Sequence, residues 1–400
     1  MAMAENSDFS APEISVAQLA SWKLLREFRR RLGKVRPADR PRPAGGPPRL
    51  LTEEDYLCSF LFAQFNPVID SARGLCACSD LGRVQEEVCT RHISLGSFSE
   101  AQSVFGSARL VELFEQLVRE DPEAIDPGGP AGSRHSRLCA IDSTVLRALP
   151  RMGWAEWQVK GGRRLHAARL HLSFNLLDGE PAGALVSGAK KCERAALKEM
   201  PKAGEFWVGD RNYGYGYKLL AGLEDAGCGY AMRIRDWANM TLVEELPITD
   251  EDRAEGVVSD RIVRLGARGC WQHGPVRVIW IEKESLGEPL VIATNRLDPS
   301  AHSGALIATI YRERWKIEIF FRWFKCVLGR PGKAHWFAES EEGAAIQIYS
   351  ALIAALLLAR RLGKLPSKRM MEMLRFHSMG FATGDELEVS LRAQLGKIKA

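Results

Sequence analysis

Residues 311–325 read YRERWKIEIFFRWFK, and the placement of their charges decides how the rest of the chain is read. On a helix turning about 100° per residue, Tyr311, Arg314, Glu318 and Lys325 share one stripe roughly 60° wide. Ile310, Ile317, Phe320, Phe321, Phe324 and Leu328 fill the adjoining sector, which predicts a core-facing side. The polar stripe therefore borders the core instead of facing open solvent. Trp315, Ile319 and Trp323 form a second apolar face, expected to pack on C-terminal helices or on a partner subunit. The periodicity predicts one helix of roughly 25 residues from about Ser303 to Leu328, stopped by Gly329 and Pro331.

Upstream the period changes to two. RLCAIDSTVLRAL (137–149), HAARLHLSFNLLDG (166–179) and PAGALVSGA (181–189) read as successive strands, with a turn at Asp178–Gly179. A helix follows in KCERAALKEM (191–200), then a strand in GEFWVGDRNY (204–213), a helix in YGYKLLAGLEDAG (215–227) and a strand in CGYAMRIR (228–235). This order is mixed α/β. Short β-rich stretches with charged turns occupy 236 to about 285, and EPLVIATNRL (288–297) restores a strand.

Two aspartates stand where buried strands surface. Apolar residues run straight into Asp142 in AIDST and into Asp210 in FWVGDRN, as expected of central strands covered on both faces. Either alone reads as the start of a turn, and Arg314–Glu318 alone as a surface pair four residues apart. Converging, Asp142, Asp210 and Glu318 need positive charge to offset their repulsion. Two divalent cations about 3.5–4 Å apart would supply it, and such a pair drives in-line phosphoryl displacement. Hard oxygen ligands favour Mg²⁺ or Mn²⁺ over zinc, with Asp142 expected to bridge both ions.

The offsets Y-(2)-R-(3)-E-(6)-K, with AIDST as a first acidic motif and VGDRNYGY as a second, resemble the DDE transposases of bacterial insertion sequences. The subfamily with a β-rich insertion before the last acidic residue is the best match, over about 135–335. Asn212 stands where that family often has glycine, a residue type that tolerates a left-handed turn. The resemblance implies an RNase H-like mixed sheet flanked by helices and a metal-binding catalytic triad of Asp142, Asp210 and Glu318. It implies two Mg²⁺, with Mn²⁺ as a substitute, and DNA contacts from Tyr311, Arg314 and Lys325. Arg322 and Arg211 are further candidate DNA contacts. The implied partners are double-stranded DNA, as terminal inverted repeats and target, and a second copy of the chain in the DNA complex. Trp237 and Trp271 are candidates to stack on a displaced base. Two rival readings remain: a two-metal nuclease without strand transfer, and a non-catalytic DNA-binding derivative of a transposase.

The front end carries no assignable motif. Residues 21–49 hold ten Lys/Arg against Glu27 and Asp39, and 241–260 hold seven acids against Arg253. This asymmetry matters more than the net charge of +5. The expected organisation is a basic helical segment at 1–36, a Pro/Arg-rich linker at 37–50 and a helical DNA-binding region at 51–130, the last opened by a capping signature at Thr52 and containing further helices through 97–120. A catalytic domain at 131–333 and a helical tail at 334–400 complete it. Nine scattered cysteines fit a reducing bacterial cytoplasm, with nucleoid association when DNA is bound. Cys76, Cys78, Cys89 and His92 lack the paired spacing of a zinc site. GAAIQIYSALIAALLLA (343–359) reads as a buried core helix, because it contains Gln347, Tyr349 and Ser350; no membrane association is expected.

Overall fold

The computed structural model describes residues 21–37, 50–66, 68–120, 137–160, 162–200, 202–266, 274–283, 287–330, 333–334 and 336–396. The expectations for 1–20, for the linker at 38–49 and for Trp271 lie outside them. The chain forms two compact units, one of residues 1–113 with 349–400 and one of residues 114–348.

The first unit begins with α1 (Ser21–Leu32), α2 (Glu53–Phe65), α3 (Ala72–Cys78), α4 (Gly82–Glu87), α5 (Leu95–Val104) and the start of α6 (Ala108–Arg119). Leu24, Leu25, Phe28 and Leu32 bury one face of α1. Its arginines are largely matched within the unit: Arg26 by Glu87, Arg29 by Glu54 and Asp55, Arg31 by Glu27. Buried Arg109 donates to the carbonyls of Leu32 (2.8 Å) and Val35 (3.1 Å), serving groups that lack helical partners at the end of α1. Thr52 caps α2 by accepting the Asp55 N–H at 3.1 Å. The helices expected through 97–120 are α5 and α6. Phe105 is extended, and the helix restarts only where Leu110 and Val111 donate to the Ser107 carbonyl.

The second unit is built on a ten-stranded sheet with helices against it. In chain order it contains β1 (Leu138–Arg147), β2 (Glu156–Lys160), β3 (Arg163–Asn175), β4 (Glu180–Gly188), α7 (Glu193–Leu197), β5 (Phe206–Gly209), α8 (Arg211–Gly214), α9 (Tyr217–Asp225) and β6 (Gly229–Ile234). It continues with β7 (Met240–Glu245), α10 (Asp250–Ala254), β8 (Val257–Leu265), β9 (Val276–Ile281) and β10 (Leu290–Thr294). The core order β4-β3-β1-β5-β6, with β3 antiparallel to β1 and β4 and with β1, β5 and β6 parallel, is RNase H-like. Gly179 takes φ +72 in the expected turn between β3 and β4. The sequence reading missed β2, which pairs only with the 163–166 end of β3. The insertion does not make a separate layer: β10, β9, β8 and β7 continue the sheet outward from β6. Arg277 and Asp260, both fully buried, form a two-pronged ion pair there (2.8 and 2.5 Å). Arg277 also donates to the His302 carbonyl at 2.5 Å, tying the insertion to the segment that enters the next helix.

That next helix corrects the sequence reading. It is two helices, α11 (Gly304–Arg312) and α12 (Trp315–Leu328). Between them Arg314, Lys316 and Ile317 donate to carbonyls three residues back, a tightened turn. The bend lets α11 lie on β5, β6 and β8 while α12 lies on β1, following a twisted sheet that a straight rod would leave. Ile317, Phe320, Phe321, Phe324 and Leu328 are buried as the stripe predicts, and Phe320 packs on Phe174 of β3 at 5.3 Å. The second apolar face divides: Trp323 is buried, whereas Trp315 and Ile319 are exposed.

After a short hairpin of β11 (Gly329–Arg330) and β12 (Lys333–Ala334) come α13 (Glu341–Leu362), α14 (Lys368–Ser378) and α15 (Gly384–Gly396). The apolar stretch of α13 is long enough to cross a membrane, yet 94% of its apolar window is buried within the protein. Gln347 in it accepts the Phe337 N–H at 3.1 Å. In the first unit α14 packs on α2, and Arg361 pairs with Glu27 of α1.

Candidate active site

Strand pairing brings the two aspartates together. Ile141 of β1 and Gly209 of β5 are register partners on parallel neighbours, so Asp142 and Asp210 follow one residue later at the same edge. Cys139, Ala140 and Ile141 are buried and Asp142 half-buried, while all of β5 is buried. Asp210 caps α8 by accepting the Asn212 N–H at 2.9 Å. The glycines around it allow close packing. A Cβ on Gly209 would lie 2.5 Å from the Met232 sulfur, and one on Gly214 would lie 2.0 Å from the Arg233 carbonyl oxygen. Asn212 needs no left-handed turn, since no described non-glycine residue has positive φ.

Glu318 reaches this edge from α12 through Arg314. The guanidinium donates to Glu318 Oε1 at 2.7 Å and stands 3.8 Å from Asp142 Oδ2, so one half-buried cation serves two acids. The pair four residues apart is thus present, but it is not a chance surface contact. Burial pushes the Asp142 carboxyl up to about 7; Asp210 and Glu318 add to the rise, and the Ser143 N–H and Arg314 oppose it. Desolvation lowers the Lys325 ammonium while Asp142 pulls it back up, which puts Lys325 within the field of the acids. Tyr311 is buried with Arg314 5.9 Å above its ring, and burial raises its hydroxyl pKa. Tyr311, Arg312, Arg314 and Trp315 border a cleft of about 240 Å³ whose other wall is Glu255, Ile281, Lys283 and Leu290, and none of the three acids lines it. Arg322 is exposed, and Arg211 pairs with Glu288 at 3.1 Å. Trp237 is 69% exposed, stacked by Arg235 at 4.4 Å.

Among the described residues no three His, Cys, Asp or Glu side chains stand close enough to hold a metal ion as placed. At the front end His92 pairs with Asp80. At the acid edge Arg314 spans Asp142 and Glu318. The donor chemistry there nonetheless fits a hard divalent cation: three carboxylates, one with a proton affinity raised by burial and by its acidic neighbours. Sequence reasoning missed a fourth acid. Glu193 of α7 gathers Ser143, Arg169 and Asn212 around its carboxylate. In KCERAALKEM it carried no signal beyond that of an ordinary helix surface.

Comparison with known proteins follows the same lines. The chain is 26% identical over 223 residues to a probable transposase for insertion sequence element IS5377 of Geobacillus stearothermophilus, covering 55% of each. It is 27% identical over 252 residues to the putative transposase y4zB of Sinorhizobium fredii, covering 60% of this chain and 64% of that protein. The chain therefore spans less than two thirds of these curated relatives. A piggyBac transposase synaptic complex with hairpin DNA gives a TM-score of 0.43 at 10% identity, over 97% of this chain and 80% of that one, too distant to carry an argument. The model of the transposase DDE domain matches residues 133–357, more than half of the sequence, and the chain belongs to that family.

Proposed function

We propose that the chain is a DNA transposase that binds the ends of its own mobile element and carries out metal-dependent phosphodiester cleavage and strand transfer. One observation carries the reading: Asp142, within β1, and Asp210, just past β5, each stand one residue beyond a register pair of these parallel strands, and Arg314 joins Asp142 to Glu318. The family in general uses divalent metal ions. Two Mg²⁺, replaceable by Mn²⁺ and held by Asp142, Asp210 and Glu318, would activate a water or 3′ hydroxyl and stabilise the leaving oxygen. Asp142 has first to release the proton that burial favours. Arg314 and Lys325, beside the same acids, would hold backbone phosphates next to the scissile bond. The Y-(2)-R-(3)-E-(6)-K subfamily, end recognition by the helical first unit, a homodimer on DNA and a bacterial cytoplasmic location belong to the same proposal.

The test is cleavage of DNA from the flanks of this chain's own gene, with and without Mg²⁺. Asp142→Ala, Asp210→Ala and Glu318→Ala should each abolish cleavage and leave end binding largely intact. Wild-type cleavage in any one of them would sink the assignment. Joined products in the wild-type reaction separate strand transfer from simple hydrolysis.

A further inference from the structure

Both aspartates lead back to Glu193. Asp142 Oδ1 accepts the Ser143 N–H at 2.7 Å, and the Ser143 hydroxyl donates to Glu193 Oε1 at 2.5 Å. Asp210 Oδ1 accepts the Asn212 N–H at 2.9 Å, and the Asn212 side-chain amide donates to Glu193 Oε2. Each acid is therefore held by the backbone of a residue whose side chain ends on the same third carboxylate. Arg169 of β3 donates to Glu193 Oε1 and, at 3.3 Å, to the Ser143 hydroxyl, so the anchor is itself charge-paired. The arrangement ties back Oδ1 of both aspartates. In Asp142 it is Oδ2, the other oxygen, that faces Arg314.

We propose that Glu193 is a positioning residue that fixes Asp142 and Asp210 relative to each other for a shared divalent cation, a role that rests on the metal-dependent reading above. Groups behind metal ligands orient them, and their loss typically weakens metal binding by about 10- to 100-fold. A purely structural Glu193–Arg169 pair makes a different prediction, because it has no use for the exposed Asn212.

The experiment titrates the full-length protein with Mn²⁺, reading free ion by electron paramagnetic resonance, with and without DNA from the flanks of its gene. Asn212→Ala and Ser143→Ala should each weaken Mn²⁺ binding about 10-fold, with the Asn212→Ala melting temperature unchanged. Glu193→Ala should weaken it more, Glu193→Gln less, and adding Asn212→Ala to Glu193→Ala should change nothing further. Should Glu193→Ala fail to fold, the Asn212 and Ser143 variants decide. Binding that is lost in Asp142→Ala but kept in both Asn212→Ala and Ser143→Ala overturns this proposal alone. Wild-type Mn²⁺ binding indifferent to Asp142→Ala overturns the metal reading and this proposal with it.

Discussion

Two desolvated titratable side chains, half-buried Asp142 and buried His171, have opposing effects on the pH dependence of stability. Asp142 is raised from its ordinary 3.8 to about 7, chiefly by burial. Its contribution to stability is greatest below pH 3.8 and is lost as pH rises through about 7, because the folded state holds the extra proton. His171, fully buried against the Ser187 hydroxyl, is lowered to about 4 by burial and then by Arg169. Its contribution is full above 6.5 and is lost as pH falls through about 4. The effects are worth up to about 4 kcal/mol for Asp142 and about 3 kcal/mol for His171, and because they oppose each other the wild-type profile largely hides both. Asp142→Asn should raise the melting temperature at pH 8 more than at pH 5, and His171→Gln should lessen the loss of stability between pH 6 and pH 4. Melting curves from about pH 4 to about pH 8 check both; parallel shifts at all pH values would count against the assigned burial effects. At this scale the sequence was legible in part. Asp142, Asp210 and Glu318 were readable because a buried run or a helical stripe pointed to each. Glu193 and Arg169 were not, because only tertiary folding brings them beside Ser143 and Asn212.

Among the elements, period two found β1, β3, β4, β5 and β6, and burial of the first residues of β1 places Asp142 where the chain surfaces. Periodicity could not reveal the bend between α11 and α12, since it is imposed by the twist of the sheet beneath and not by any helix breaker at Glu313 or Arg314. Nor could it reveal why glycine stands at 214. Gly214 is needed for close approach to β6: its N–H donates to the Asp210 carbonyl at 3.2 Å while its α-carbon faces the Arg233 backbone. Gly214→Ala should therefore destabilise by about 1–3 kcal/mol, read as a lower denaturant midpoint. An unchanged midpoint would mean that α8 can shift without penalty.

For the molecule as a whole, the β-rich insertion was legible as an interruption but not as a continuation of the central sheet. Hydrogen bonding between β6 and β10 makes it one, and only the folded chain reveals that pairing. The Arg277–Asp260 pair then matters beyond the insertion, through the His302 carbonyl just before α11. Arg277→Ala, which strands a buried carboxylate, should lower stability by about 3–5 kcal/mol, whereas Arg277→Met with Asp260→Leu should be near neutral. Thermal melts of the two variants make the comparison, and equal losses would show that the charge itself is not the determinant. The division into two units carries a consequence for synthesis. Helices α1 to α5 share their unit with residues from 349 onward, so during synthesis they lack those partners until the whole second unit has emerged. The front end is finished only with the last helices, and a nascent chain halted before residue 349 would carry its acid site on an incomplete front end.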